Sequence, residues 1–157
     1  MSRALVLVVA ALCTLGCLKS EDSPTGPSGT TANFQGTWTG EYLRTACSET
    51  GGGNQCAGLP QTGFLEATLT QSGTSVSGQI EVDVFILTVT GQVGSDGSLT
   101  LSGQGRFVTV TVTLASWRTT TSGTALTGNM TFVITPDDPA LGVITVQGTL
   151  QNVTKTA

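Results

Sequence analysis

The stretch Val108-Thr109-Val110-Thr111-Val112-Thr113-Leu114 alternates apolar and hydroxyl side chains residue by residue. Because successive side chains of a β-strand point to opposite faces, this period of two predicts a strand with one dry face and one wet face. Strands that are buried on one side only are typical of antiparallel sheets, since parallel strands are usually apolar on both faces. The stretch therefore predicts antiparallel β-structure, with Val108, Val110, Val112 and Leu114 on the buried face.

The same alternation recurs in three other parts of the chain. Its apolar positions are Leu65, Ala67 and Leu69, then Leu126, Met130, Phe132 and Ile134, and finally Ile144, Val146 and Leu150. Threonine, which favours strands, is abundant, and no segment shows a sustained helical period. We therefore expect an all-β domain whose core contains these side chains.

Three glycine-containing sequences mark turns between the strands: Ser72-Gly73-Thr74-Ser75, Ser95-Asp96-Gly97-Ser98 and Ser122-Gly123-Thr124-Ala125. Glycine adopts the positive φ angles that tight turns require. The turns recur at intervals of about 25 residues, the length of two short strands and two turns. This spacing predicts an up-and-down meander in which each strand pairs with the next.

The turns and alternating segments together predict about eight strands. Their expected bounds are Gly36–Arg44, Gly63–Gln71, Ser75–Val82, Phe85–Val93, Ser98–Gly103, Arg106–Trp117, Thr124–Ile134 and Val143–Val153. Eight strands favour a closed antiparallel barrel, which has no sheet edges, whereas seven would suit an open β-sandwich. The count depends on residues 83–86, where the apolar phase shifts without a turn residue, so a bulge in one long strand is the alternative.

The first seventeen residues have the layout of a secretory signal. Arg3 precedes the apolar run Ala4–Leu15, which is too short for the roughly twenty residues that span a bilayer as a helix. The run closes with Thr14-Leu15-Gly16-Cys17, which resembles the lipobox of bacterial lipoproteins. The resemblance implies removal of residues 1–16 and attachment of lipid to Cys17 as the first mature residue.

Residues 17–32 are rich in serine, glycine and proline, a composition typical of a flexible tether. Leu18, rather than aspartate, follows Cys17, and by resemblance to lipoproteins of two-membrane bacteria this implies the outer membrane. We therefore expect a signal peptide (1–16), a tether (17–32) and a barrel domain (33–157), held to a membrane of the bacterial cell envelope by the lipid anchor.

The sequence Asn33-Phe34-Gln35-Gly36-Thr37-Trp38 resembles the G-x-W start of the lipocalin and avidin families, the calycins. The resemblance implies an eight-stranded barrel that Trp38 plugs at its closed end, under a basic side chain from the last strand, for which Lys155 is the counterpart. The chain lacks a second lipocalin signature, and Trp117 is its only other tryptophan, so the ring of tryptophans that holds biotin in avidins is missing.

Cys47 and Cys56 bracket a glycine-rich segment after the first predicted strand. In an exported chain this spacing predicts a disulfide that closes the loop. The alternative is a metal pair, but two thiols without histidine make a poor zinc site, and we expect no metal. The disulfide is expected to rigidify a loop at the open mouth of the barrel, where ligands are usually bound.

Several functional classes are excluded by what the sequence lacks. The chain has no histidine, which rules out a Ser-His-Asp triad, and no G-x-S-x-G elbow. It has neither a P-loop nor a dinucleotide fingerprint, so we expect no cofactor. The net charge is −4 and the few arginines are dispersed, whereas nucleic-acid binding requires a clustered basic surface.

Carboxylates are the remaining candidates for catalysis. Glu81 and Asp83 lie two residues apart and are expected on one side of a strand, facing water if Val82 and Val84 point inward. Glu41 and Glu66 are isolated candidates for the barrel interior. Catalytic carboxylates need burial or partners that perturb their pKa values, so a hydrolase would require two of them to converge in a buried site.

The sequence thus leads to a non-enzymatic, lipid-anchored β-barrel that binds a small or apolar ligand, or a protein partner, at the cell envelope. A structural module with a filled core and no ligand is the first alternative, because apolar side chains can fill a small barrel completely. A carboxylate-based hydrolase using Glu41 and Glu66 is the second. No oligomeric state follows from the residues.

Overall fold

The computed structural model describes residues 31–51 and 53–156 of the chain. The predicted signal peptide (1–16), the lipidation site Cys17 and the tether up to residue 30 lie outside the described residues. Nothing in the structure therefore bears on those predictions.

The described residues form one antiparallel sheet closed into a barrel of eight strands. Each strand pairs with the next, and the last pairs with the first. The strands are β1 (Gly36–Glu49), β2 (Thr62–Ser72), β3 (Ser75–Val82), β4 (Phe85–Val93), β5 (Leu99–Phe107), β6 (Val110–Ser122), β7 (Ala125–Pro136) and β8 (Ile144–Lys155). The prediction of an all-β, up-and-down closed barrel is confirmed, and the barrel is compatible with a calycin-like fold.

Within residues 31–51 and 53–156, helical structure is confined to two short pieces in the loops. A four-residue helix, α1 (Gln55–Gly58), lies between β1 and β2, and a 3₁₀ turn at Pro139–Leu141 lies between β7 and β8. Neither these nor any other helix among the described residues has the length and apolar character to cross a bilayer.

Apolar side chains from all eight strands fill the inside of the barrel. Twenty-five hydrophobic residues of the described part are buried, and they form one contiguous core. The three alternating patterns outside β6 are confirmed, since every apolar residue predicted to face inward from them is buried. These residues are Leu65, Ala67, Leu69, Leu126, Met130, Phe132, Ile134, Ile144, Val146 and Leu150.

The alternating stretch that predicts the fold is only partly a strand. Val112 and Leu114 are buried as expected, but Val108 and Thr109 form the turn between β5 and β6. Val108 has a positive φ of 51° and is 76% exposed, so its predicted place on the buried face is wrong. The predicted break between strands five and six, at residues 104–105, is displaced by four residues to 108–109.

The reason for that displacement is that Gly103 and Gly105 serve strand packing rather than a turn. A Cβ atom at Gly103 would collide with the carbonyl oxygen of Thr88, and one at Gly105 with that of Ile86, both on the neighbouring β4. Glycine in a strand interior often marks such a close backbone approach. β5 therefore continues through both glycines to Phe107.

Residues 83–86 contain a turn, which confirms the count of eight strands. β3 ends at Val82, Asp83 and Val84 form a two-residue turn, and β4 begins at Phe85. Val82 pairs with Phe85 in register, which excludes the single bulged strand. Asp83 supplies the positive φ of 54°, a conformation that Asp tolerates better than most side chains.

The up-and-down topology places the loops at two opposite ends of the barrel. The disulfide end comprises the loop 50–61, the turns 83–84 and 108–109, and the segment 137–143. The terminal end comprises residues 31–35, the turns 73–74, 94–98 and 123–124, and the end of β8. The chain therefore enters the described barrel, and leaves it, at the end opposite the disulfide.

Candidate functional site

The terminal end is covered by the segment that leads into β1. Phe34 and Trp38 are fully buried there, and the Trp38 Nε1–H donates a hydrogen bond to the Phe34 carbonyl oxygen at 2.8 Å. The Lys155 Nζ lies 5.5 Å from the centroid of the Trp38 ring, within cation–π range. The Gln71 side chain accepts from the Phe34 amide at 2.7 Å and ties this segment to β2. Trp38 and Lys155 are thus adjacent at the covered end.

The predicted disulfide between Cys47 and Cys56 is present, with a Cα–Cα distance of 5.8 Å. Hydrogen bonds hold the same loop to β1. The Glu49 Oε2 accepts from the amides of Gln55 and Cys56 at 2.7 and 3.1 Å, and Arg44 donates to the Cys56 carbonyl oxygen at 2.7 Å. The loop is therefore anchored to β1 both covalently and by hydrogen bonds.

Contacts also join this loop to the segment before β8. The Gln55 Nε2 donates to the Leu141 carbonyl oxygen at 2.6 Å, and the backbones of Thr50 and Val143 are hydrogen-bonded at 2.9 Å. The two longest connections of the disulfide end therefore hold each other in place. The loop 50–61 and the segment 137–143 therefore form one rigid part of the disulfide end.

The polar groups inside the barrel bind one another. The Trp117 Nε1–H donates to the Thr119 Oγ1 at 3.0 Å, and the Tyr42 hydroxyl donates to the Asp83 Oδ2 at 2.7 Å. Burial, followed by this hydrogen bond to Asp83, raises the pKa of the Tyr42 phenol well above its ordinary value. No buried side-chain nitrogen or oxygen in the described residues lacks a hydrogen-bond partner. The described interior therefore leaves no unpaired polar group to orient a ligand.

The candidate carboxylates do not converge in the interior. Glu41 is exposed, and Glu66 is half-buried on the outer face, because its neighbours Leu65 and Ala67 point inward. Their expectation as interior candidates is wrong. Glu81 is also on the outer face, whereas Asp83 lies in a turn and accepts hydrogen bonds from Tyr42 and from the Phe64 amide, the latter at 2.9 Å. No group of three potential metal-binding side chains occurs within residues 31–51 and 53–156.

Two concavities have been located on the described surface, and both lie outside the barrel wall. An open groove of about 490 Å³ runs along β2–β5, lined by hydroxyl side chains that pair in register, including Thr70, Ser77, Thr90 and Ser102. A smaller one of about 270 Å³ lies at the terminal end beside Ala32. The groove presents no charged side chain that would select a ligand.

The disulfide end carries an apolar rim that the sequence analysis missed. All six large hydrophobic residues that are exposed in the described part lie at or beside this end. The apolar rim consists of Phe64, Val84, Ile86, Phe107, Val108 and Leu141. The ring of Phe107 also packs edge-to-face on Phe85, with centroids 5.7 Å apart. Phe64 and Ile86 are apolar, yet the alternation of their strands places them on the face toward solvent. This mismatch was the sequence signal that could have revealed the rim.

The turns at the two ends differ in character. At the terminal end, the left-handed positions of the two-residue turns are occupied by Gly73 and Gly123, next to threonine. At the disulfide end the corresponding position of one turn is Val108, a β-branched residue for which positive φ is strongly unfavourable. The barrel thus retains an exposed apolar side chain at a position where its backbone is strained, and such strain clusters at functional sites.

Charge is distributed as unevenly as apolar surface. Of the eight carboxylates in the described residues, only Asp96 belongs to the terminal end. The other seven lie toward the disulfide end, where Arg44 and Arg106 are the only bases among the residues that the structure describes. They are Glu41, Glu49, Glu66, Glu81, Asp83, Asp137 and Asp138. The disulfide end is therefore both acidic and apolar.

Comparisons with known proteins do not assign the chain to a family. No protein-family model, curated protein or solved structure matches it. Functional inference therefore depends on the geometry of the barrel itself.

Proposed function

We propose that the chain is a non-enzymatic lipoprotein of the bacterial cell envelope that binds a protein partner through the disulfide end of its barrel. The observation that carries this proposal is the segregation of the six exposed apolar side chains to that end. Exposed apolar side chains that gather on one part of a protein surface often mark an interaction site. The aromatic residues Phe64 and Phe107 are of a type enriched in protein interfaces.

The filled interior favours external binding over carriage of an apolar ligand inside the barrel. The inward positions are occupied by large side chains, including Trp38, Trp117 and Phe132, and the buried polar groups are already paired. A ligand inside the barrel would have to displace these packed side chains. Opening a cavity in a packed core costs several kcal/mol. Native mass spectrometry of the protein isolated from its envelope tests this point. The proposal expects the mass of the lipidated chain alone, and a bound apolar molecule would favour the carrier.

The place where the described part of the chain begins fits an anchored molecule. The described chain enters the barrel at the terminal end, beside Gly97, and the apolar rim lies at the opposite end. A lipid on Cys17 and a flexible tether would thus leave the disulfide end free for a partner. The mass of the mature N-terminal peptide tests the anchor: diacylated or triacylated Cys17 is expected, and an unmodified N-terminus beyond Cys17 would refute it.

Photo-crosslinking in intact cells tests the site of binding. A photoreactive amino acid is placed at Ile86 or Val108 of the disulfide end and, as a matched control, at Thr74 or Thr124 of the terminal end. The proposal expects discrete crosslinked products from the first pair and none from the second. Absence of products from the disulfide end, or the same products from both ends, would overturn it.

A further inference from the structure

We infer that the partner presents a cationic segment with apolar side chains beside its charges, and that this segment docks on the outer face of β1–β4. This inference rests on the proposed function and specifies the chemistry of the partner. The docking surface, called the acidic–apolar face below, consists of Glu41, Phe64, Glu66, Glu81 and Ile86.

The register of the strands brings these residues side by side. Glu66 lies directly opposite Glu81, and Glu81 lies directly opposite Ile86 on the next strand. One step toward the disulfide end, Glu41 lies opposite Phe64. Residues directly opposite on one face of an antiparallel pair are close enough for their side chains to interact. Ile86 thus lies beside Glu81, and Phe64 lies beside Glu41 and two positions from Glu66 along β2.

The pairing of Glu66 with Glu81 is unfavourable for the isolated barrel. Like charges directly opposite one another destabilise a sheet, and a cation nearby would relieve the repulsion. Each of the four bases in the described part of the chain has another partner. Arg106 binds Asp137, Arg118 binds Asp96, Arg44 donates to the Cys56 carbonyl oxygen, and Lys155 lies over Trp38. A compensating cation would therefore have to come from outside the described residues, and in this inference the partner supplies it.

The same charges favour a protein over a lipid surface as the occupant. An acidic end is repelled by anionic membranes, whereas complementary potentials steer association between proteins and select the partner. The apolar neighbours Phe64 and Ile86, which are 41% and 58% exposed, provide area that lysine or arginine alone would not use. The occupant is accordingly a basic segment that also carries apolar side chains.

A binding experiment with defined peptides tests this inference. The full mature chain is held in nanodiscs of zwitterionic lipid, with empty nanodiscs as the reference surface. The probes are a synthetic Lys/Leu peptide, a Glu/Leu peptide with the charge reversed, and a Lys/Ser peptide without the apolar groups. Affinity for the Lys/Leu peptide that clearly exceeds affinity for the other two is expected, and it should decrease steeply with added salt because the charges are exposed.

Substitutions then locate the bound peptide. The double variant E66Q/E81Q should weaken binding of the Lys/Leu peptide about five- to tenfold, since each exposed ion pair contributes modestly to affinity. Ile86→Thr should weaken it by a similar factor. As a control for net charge, E66Q/E81Q combined with T100E/T127E restores two charges on exposed positions elsewhere. This control should bind as weakly as E66Q/E81Q.

The outcomes separate this inference from the proposed function. Equal binding of the Glu/Leu peptide, unchanged affinity of E66Q/E81Q, or recovery in the charge control would overturn the basic partner. If crosslinks still arise from the disulfide end in those cases, the proposed function stands. Preferential binding of the barrel to anionic vesicles over the Lys/Leu peptide would overturn the protein occupant. Absence of both peptide binding and crosslinks would overturn the inference and the proposed function together.

Discussion

The hydroxyl of Tyr42 donates a hydrogen bond to Asp83 at 2.7 Å and so joins β1 to the turn between β3 and β4. Asp83 also accepts from the Phe64 amide, which links the same turn to β2. One carboxylate therefore connects two strands to the turn that displays Val84. This connection holds part of the apolar rim in a fixed position.

Tyr42 is expected to titrate abnormally. It is the only tyrosine of the chain, so tyrosinate absorbance near 295 nm reports on it alone. Its pKa is raised in the folded protein by burial and by Asp83, whereas the unfolded chain should show the ordinary value of about 10. The native absorbance should therefore begin to rise only at pH values well above those seen in denaturant.

The sign of the linked effect on stability follows from the same shift. Because the pKa of Tyr42 is higher in the folded than in the unfolded chain, its contribution to stability is fully present below the pKa of the unfolded chain. This contribution is lost as the pH rises through the pKa of the folded chain. The free energy of unfolding should thus stay level near neutral pH and fall above pH of about 10. Tyr42→Phe should lose about 1 kcal/mol at neutral pH and lack the alkaline decrease. A native titration near the ordinary value would contradict the geometry.

Val108→Asn is expected to stabilise the barrel. Asparagine accepts the left-handed conformation that costs a β-branched residue about 1–2 kcal/mol, so we expect a gain of about 1 kcal/mol. Val84→Asn is the matched control, because Val84 is an exposed turn residue of the same kind without a positive φ. It should change stability by less than about 0.5 kcal/mol. Urea unfolding of both variants provides the comparison, and a loss of stability in V108N would disprove the strain.

Removal of the disulfide is expected to weaken the barrel and loosen its loop. The Cys47–Cys56 bond closes a loop of about ten residues, which corresponds to about 2–3 kcal/mol in the chain-entropy model. C47S/C56S should show this decrease in urea unfolding and faster proteolysis between residues 50 and 55. The hydrogen bonds that Glu49 accepts from Gln55 and Cys56 remain, so the barrel should stay folded. Unchanged cleavage would mean that those hydrogen bonds alone hold the loop.

The architecture of the barrel was readable from the sequence because one face of nearly every strand is apolar and the other carries hydroxyls. The paired thiols and the glycine-containing turns of the terminal end were equally readable. The turn at Val108 was not, because its residues are strand formers and the nearby Gly105 is the better turn signal. Only the close approach of β4 to β5 shows why that glycine belongs in a strand.

The candidate site was hidden for a different reason. Its residues do not form a sequence motif. They are exposed side chains of several different strands and turns, and the strand register makes them neighbours. Glu66 and Glu81 are fifteen positions apart in the chain and become neighbours only because Ser72 pairs with Ser75 across a two-residue turn. Val108 was assigned to the core by its alternation, so its exposure could not be inferred. Closure of the barrel then gathered these residues at one end.

Binding of a partner to the apolar rim of the disulfide end can be tested by comparing crosslinking before and after the rim is made polar. Photo-crosslinking from position 107 in intact cells is compared between the unaltered rim and a rim carrying Val84→Asn, Ile86→Thr and Val108→Asn. We predict that the altered protein is folded and at least as stable, yet loses most of its crosslinked product. An undiminished yield from the altered rim would contradict binding of the partner at the apolar rim.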